Sequence, residues 1–208
     1  MAEDPRLGAR RVSRETRDRL VALEALLGRW NAHINLVAPG TLKDFWSRHA
    51  LDSAQLLDLA PQSAGTWADL GSGGGFPGLV VAILALSERP GMRVTLVESD
   101  QRKAAFLMTA AREIVPEARV EVLAHRAETV APLGADVVSA RALAPLDQLL
   151  PLASRHLGPN GVALFPKGAR WQGEVQAALA NWRFTLQNHP SQTDPAAVVL
   201  AVRGISRA

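Results

Sequence analysis

Cysteine is missing from all 208 positions of the chain. Its absence excludes disulfides, thiolate zinc sites and cysteine nucleophiles together, and suits a reducing compartment. Lysine is scarce as well: it occupies positions 43, 103 and 167 only, whereas arginine occurs twenty times. The planar guanidinium grips phosphate bidentately, so this imbalance suits an RNA or DNA partner, although codon composition produces the same bias. No apolar run approaches the roughly 18 to 20 residues that cross a bilayer, so a membrane partner is not expected. The first twenty residues, MAEDPRLGARRVSRETRDRL, mix acids with arginines and contain no apolar h-region; no export signal is expected, and the expected location is cytoplasmic. Repeats, low-complexity tracts and a clear linker are also lacking. With 48% apolar residues and a net charge of +3, the chain reads as one globular domain with a sizeable core.

What is present is a helical front followed by alternating strands and helices. Leu20, Leu23, Leu27 and Trp30 share one face of a helix expected over 14–30, with Ser13 as its N-cap. A second helical stretch is expected from Leu42 to Leu59. The front, residues 1–60, is read as a helical extension on a main domain of residues 61–208. From Thr66 the pattern runs strand TWADL, a Gly-rich turn, helix 77–86, strand RVTLVE, helix 102–114 and strand RVEVLA. It continues with strand ADVVSA, helix 146–156, strand VALFPK and helix 171–180, and ends on strands WRFTLQ and AAVVLAVR. Alternation of this kind folds as a parallel sheet covered by helices, because each crossover must be right-handed. The last two strands have only NHPSQTDP between them, so they should form an antiparallel hairpin at one end.

In such sheets a ligand sits beyond the carboxyl ends of the strands, and a Gly-rich first turn lets it touch backbone amides. The stretch DLGSGGGFPG, residues 69–78, is that turn. Gly73, Gly75 and Gly78 fit G-x-G-x-x-G, with Glu98 twenty residues on, as a dinucleotide fingerprint asks. Against this, the strand ends two residues too early and Pro77 lies inside the would-be phosphate turn. The alternative ligand is S-adenosylmethionine. Asp69 can favour its cationic end, Glu98 can accept both ribose hydroxyls, Glu128 can meet the adenine, and Arg141 lies at the mouth of the same crevice.

The elements NAHINLVAP, RHALDS, DLGSGGGFPG, VTLVESDQRKAAFL, RAE, SARALAPL and FPKG occur in this order between about Trp30 and Gly168. In these the chain resembles the bacterial 16S ribosomal RNA guanine-N7 methyltransferase family (RsmG, or glucose-inhibited division protein B). The resemblance implies the α/β class I, Rossmann-like methyltransferase fold: a seven-stranded, mostly parallel sheet with an antiparallel C-terminal hairpin and extra N-terminal helices. It implies S-adenosylmethionine as cofactor, and 16S ribosomal RNA as partner, naked or within the small subunit, for a monomeric chain. The family's cofactor contacts fall on Gly71, Phe76, Ala127, Glu128 and Arg141, beside Asp69, Gly73 and Glu98 from the residue reading.

What the sequence lacks agrees with this chemistry. Without cysteine, transfer to a pyrimidine carbon loses its usual nucleophile. The D/N-P-P-Y/F element that accompanies exocyclic amine methylation is absent after the fourth strand. Guanine N7 offers a free lone pair, so its methylation needs positioning rather than a general base, and no catalytic base is expected. Arg48, His49 and Lys167 are candidates for RNA contact. A His49–Asp52 pair three residues apart could equally fix the front helices to the sheet, and Trp30 and Trp46 read as core anchors. Two other classes stay open on the residues alone: an NAD(P)-dependent oxidoreductase, and a non-catalytic RNA-binding assembly protein on the same scaffold. No metal site is expected.

Overall fold

The computed structural model describes residues 6–115 and 119–208; residues 1–5, where the stretch read for an export signal begins, lie outside them. Two short strands, β1 (Arg6–Leu7) and β2 (Arg10–Arg11), pair antiparallel. The hydropathy pattern gives no sign of this hairpin. Arg10 carries ion pairs to Asp58 and Glu88, which fasten it to the helices behind. Helix α1 (Arg14–Asn31) starts where expected, because the Ser13 hydroxyl accepts the Thr16 amide at 3.0 Å. Leu20, Leu23 and Leu27 are fully buried, and Trp30 meets Phe106 edge-on at 5.8 Å.

The stretch expected as one helix from Leu42 to Leu59 is three pieces: a 3₁₀ turn over Pro39–Asp44, a π-helical turn over Phe45–Leu51, and α2 (Asp52–Leu59). A π turn widens the ladder by one residue. Here it turns Phe45, His49 and Ala50 inward together, and its Arg48 carbonyl accepts a bond from the Arg141 guanidinium.

The remaining elements are β3 (Thr66–Leu70), α3 (Gly78–Glu88), β4 (Arg93–Val97), α4 (Gln101–Ile114), β5 (Val120–Leu123), β6 (Ala135–Ser139) and α5 (Leu146–His156), followed by β7 (Leu157–Lys167), α6 (Trp171–Leu179), β8 (Trp182–Pro190) and β9 (Val198–Arg207). Seven strands form one sheet in the order β5-β4-β3-β6-β7-β9-β8. Its first five are parallel, and β9 enters antiparallel between β7 and β8. The C-terminal hairpin is as expected, though its strands run longer than WRFTLQ and AAVVLAVR. Chain order runs outward from β3 to β5 on one side and from β6 to β7 on the other, so the topological switch lies between β3 and β6.

Period-two alternation assigns the two faces. Trp67, Val94, Leu96, Val137 and Leu164 join the core shared with α1, α2, α3 and α4, whereas Ala68, Leu70, Val97, Val138 and Phe165 join the core under α5 and α6. Helix α3 is buried continuously from Gly78 to Ala85 because the front helices cover the side that the sheet does not. A helix that is apolar all round requires such cover. Among the described residues, no helix is long and apolar enough to cross a membrane.

Two glycines test this packing in opposite directions. A Cβ on Gly78 would lie 2.3 Å from Leu96 Cδ2 and 2.9 Å from Asp69 Cβ, whereas one on Gly173 in α6 would meet nothing within 4 Å. Gly78→Ala should cost about 1–3 kcal/mol through overpacking, and Gly173→Ala should gain about 0.5–1 kcal/mol of helix propensity. Urea unfolding of both variants checks this; a Gly78→Ala protein as stable as its parent would contradict the packing.

Candidate active site

The glycine turn leaves β3 at Gly71, whose φ of +65° places it in the left-handed region. The amides of Gly71 and Ser72 both donate to the Val97 carbonyl, at 2.8 and 3.1 Å. A Cβ on Gly71 would come within 2.5 Å of Leu143 Cδ1. Side chains are excluded from one end of the turn by α3 and the sheet, and from the other by the segment after β6.

Asp69 organises the turn from beneath. Its carboxylate accepts the Ser139 hydroxyl at 2.7 Å and the Gly78 amide at 3.2 Å, while Ser139 accepts the Trp67 indole N–H at 2.8 Å. Asp69 has no exposed surface. Burial pushes its carboxyl up to about 6, against the opposing pull of its hydrogen bonds and of Arg141. The Asp69 side chain thus holds the turn from below, and its charge faces the crevice through the turn's backbone. The same bond weakens the dinucleotide reading, since the first amide of α3, which would face a pyrophosphate, is already taken by Asp69.

Glu98, just past β4, is 7% exposed. One of its oxygens accepts the Gly73 amide at 2.9 Å and the other the Asp100 amide at 2.8 Å. A carboxylate has about four lone-pair sites, so two remain for hydroxyls in the cavity of about 570 Å³ that Glu98 lines with Gly71, Gly73, Phe76, His49 and Arg141. The front of the chain supplies the opposite wall, Leu36 to Ala38 and Thr41. The Asn31 side chain fixes that wall by accepting the Leu36 and Val37 amides at 2.9 and 3.0 Å. A second cavity, about 250 Å³, is lined by Val97, Ala127, Glu128, Leu143 and Leu152 among others. His156 accounts for the place of Ala127: one ring nitrogen of this buried histidine donates to the Ala127 carbonyl at 2.9 Å.

Arg141 lies where these parts meet. Its guanidinium sits 5.1 Å from the centre of the Phe76 ring and donates to the Arg48 carbonyl at 3.0 Å, to Asp52 at 3.2 Å and to His49 Nδ1 at 3.1 Å. A guanidinium only donates, so Nδ1 accepts and Nε2 carries the proton toward Thr41 Oγ1, 3.0 Å away. The His49 ring also stacks on Phe76 at 4.7 Å. His49 is buried with both nitrogens occupied, so the structure does not present it for RNA contact. Asp52 fixes the front to the sheet, as one reading had it, but through Arg141 rather than through His49. Lys167 borders a neighbouring cavity of about 820 Å³, with its side chain 8% exposed and its ammonium bonded to Glu174 at 2.7 Å and to the Ala144 carbonyl at 2.8 Å.

Arg48 remains exposed and borders both the 570 Å³ cavity and the neighbouring one of about 820 Å³ that Arg170 also lines. Sequence reasoning missed Arg170, Leu143 and the Leu36–Ala38 wall. The SARALAPL and NAHINLVAP elements contain Leu143 and the Leu36–Ala38 wall without marking them as cavity lining, and no local signal marks Arg170. Trp30 and Trp46 are core anchors, the Trp46 indole N–H reaching Glu24 at 3.1 Å. Among the described residues, no cluster of potential metal ligands occurs.

Residues 16–195 match the family described as rRNA small subunit methyltransferase G. The ribosomal RNA small subunit methyltransferase G of Ruegeria sp. (strain TM1040) is 50% identical over 196 residues, covering 94% of each chain. That of Parvibaculum lavamentivorans is 53% identical over 199 residues, covering 93% of this chain and 85% of its own. In fold, a TehB-like SAM-dependent methyltransferase from Corynebacterium glutamicum superposes with a TM-score of 0.58 at 15% identity, over 90% of this chain and 99% of its own.

The His49 environment has a measurable consequence. Burial first, then the charges of Arg141 and Arg48, lower its pKa to about 4 from 6.5. Between those values the unfolded chain takes up a proton that the folded chain refuses, so His49 costs stability as pH falls through that window and nothing above it. Asp69, with its raised pKa, has the opposite slope but is common to parent and variant. Urea unfolding should therefore show His49→Gln gaining on its parent as pH drops from 6.5 to about 4. A pH-independent difference would mean that folded His49 titrates normally.

Proposed function

The chain belongs to the rRNA small subunit methyltransferase G family, and on that premise we propose that it transfers the methyl group of S-adenosylmethionine to N7 of a guanine in 16S ribosomal RNA. The observation that carries the donor half is the crevice at the switch point, where a side-chain-free turn at Gly71 meets the Glu98 carboxylate and the Arg141 guanidinium. The residues fit this cofactor. The apolar slot of Val97, Ala127 and Leu152 suits an adenine, Glu98 has lone pairs left for two ribose hydroxyls, and Arg141 offers a cation to a carboxylate. Bound there, the cofactor supplies an electrophilic methyl on a sulfonium centre. NAD(P) chemistry is not favoured, and neither is a purely assembling role.

On the acceptor side, the exposed Arg48 and Arg170 line the 820 Å³ cavity that adjoins the donor crevice along Arg141 to Leu143. Guanidinium groups beside a cavity of nucleotide size suit the phosphates flanking an inserted guanine. Guanine N7 loses no proton on methylation, so the protein's work is alignment and exclusion of water. His49 supports this reading, because its one lone pair is spent on Arg141. The substrate is naked 16S RNA or the assembled small subunit, and the enzyme acts in the cytoplasm as a monomer.

Calorimetry should show S-adenosylhomocysteine binding and NAD not binding, with Glu98→Gln weakening the former by about 1.5–3 kcal/mol. NAD binding without a response to the methyl-donor product would overturn the donor assignment. The single-turnover rate at saturating RNA and cofactor should stay flat across neutral pH, since no side chain has to lose a proton. RNA affinity should meanwhile fall steeply with salt, and less steeply in Arg48→Ala and Arg170→Ala. A bell-shaped rate profile, or mass mapping that places the methyl on another atom, would contradict the mechanism.

A further inference from the structure

Residues 141–146 form an unusual connection from β6 to α5. Ala142 has a φ of +54°, a conformation that L-residues adopt only where the surroundings impose it. Leu143 is 41% exposed, with its side chain lying against the Cα of Gly71. It lines all three cavities, the two of the donor crevice and the acceptor one. The first amide of α5 has no local partner, because the preceding residue, Pro145, offers no capping side chain. Nothing within the segment accounts for its shape.

The constraint comes from the far side. Lys167 ends β7 and Glu174 lies in the first turn of α6. The Lys167 ammonium donates to the Ala144 carbonyl at 2.8 Å and to Glu174 Oε2 at 2.7 Å; the same oxygen accepts the Leu146 amide at 2.9 Å. One partly buried ion pair therefore satisfies one backbone acceptor and one backbone donor on either side of Pro145. At its other end the segment is held by Arg141, bonded to Arg48, His49 and Asp52.

We infer that Lys167 and Glu174 are positioning residues: through the Ala144 carbonyl and the Leu146 amide they clamp the 141–146 segment, and so set both the Leu143 partition over Gly71 and the aim of Arg141. Both side chains border the 820 Å³ cavity, yet each is bonded to the other and to the backbone of the segment. The pair decides where the wall between donor and acceptor stands. The inference rests on the donor-crevice reading above and assigns this Lys a role other than phosphate contact. Charge-assisted bonds of this length are among the stronger ones, and removing one partner leaves a backbone group of the segment without its bond.

Lys167→Met, Glu174→Gln and the double variant separate the two roles, with S-adenosylhomocysteine and a 16S RNA fragment as probes well below each unfolding midpoint. A clamp predicts that each single variant weakens S-adenosylhomocysteine binding by about tenfold. The double variant should then be no worse than the poorer single one, and amide hydrogen exchange should quicken over residues 142–146. Lys167→Arg, which keeps the charge, should recover part of the loss. A phosphate contact predicts opposite signs: Lys167→Met weakens RNA binding alone, and Glu174→Gln, which frees the cation, tightens it. That pattern, or unchanged exchange and cofactor affinity, would overturn the clamp. If Lys167→Met fails to fold, Glu174→Gln and Lys167→Arg decide by the same readouts. A parent protein that does not bind S-adenosylhomocysteine would overturn the donor-crevice reading and the clamp together, whereas binding by the parent with unaltered variants overturns the clamp alone.

Discussion

A single carboxylate without access to water, that of Asp69, joins the three elements that meet at the switch point. It sits on β3, receives a hydroxyl from the end of β6 and an amide from the start of α3. Burial raises its pKa, and the fold offsets part of that desolvation with fixed donors first and the more distant charge of Arg141 last. This geometry requires Gly78 to lack a side chain, because the α3 backbone must approach within hydrogen-bonding distance of the strand. The turn above it is thereby held open, with Gly71 and Gly73 presented to the crevice.

Arg141 plays the corresponding part on the upper side. Its bonds to Arg48, His49 and Asp52 link the sheet to the front of the chain, and Asp52 passes the connection on to Thr193 in the loop between β8 and β9 at 3.0 Å. The crevice is therefore a joint product of the strand–helix core, the front helices and the C-terminal hairpin. The π turn at Phe45–Leu51 is part of the same construction, because it turns His49 inward while the Arg48 side chain remains exposed.

Much of this was legible beforehand, for local reasons. Strand and helix periods follow from side-chain direction, so α5 has its expected bounds and the other elements from Thr66 onward lie where expected, β7 starting five residues earlier than VALFPK and the last two strands running longer. Ser13 could be read as a cap because capping needs only a hydroxyl and an amide three residues on. The break inside 42–59 was not legible, since no proline or glycine marks it and its cause is the inward packing of Phe45 and His49.

Composition and motif order by themselves determined the fold class, the place of the glycine turn and the residue types at the strand ends, because each depends on spacing along the chain. Glu98 is the clearest case: its place at the end of β4 follows from the strand pattern, and the structure gives it two backbone donors with lone pairs to spare. Which charged groups face a ligand was decided only by tertiary structure. Asp69, His49 and Lys167 have the right types in the right order, yet all three are turned to partners 70, 92 and 23 residues away, Ser139, Arg141 and Ala144. A side chain's partner is chosen by whatever the folded chain brings within about 3 Å of it, and that distance is a property of the packed sheet and helices, which no local spacing encodes.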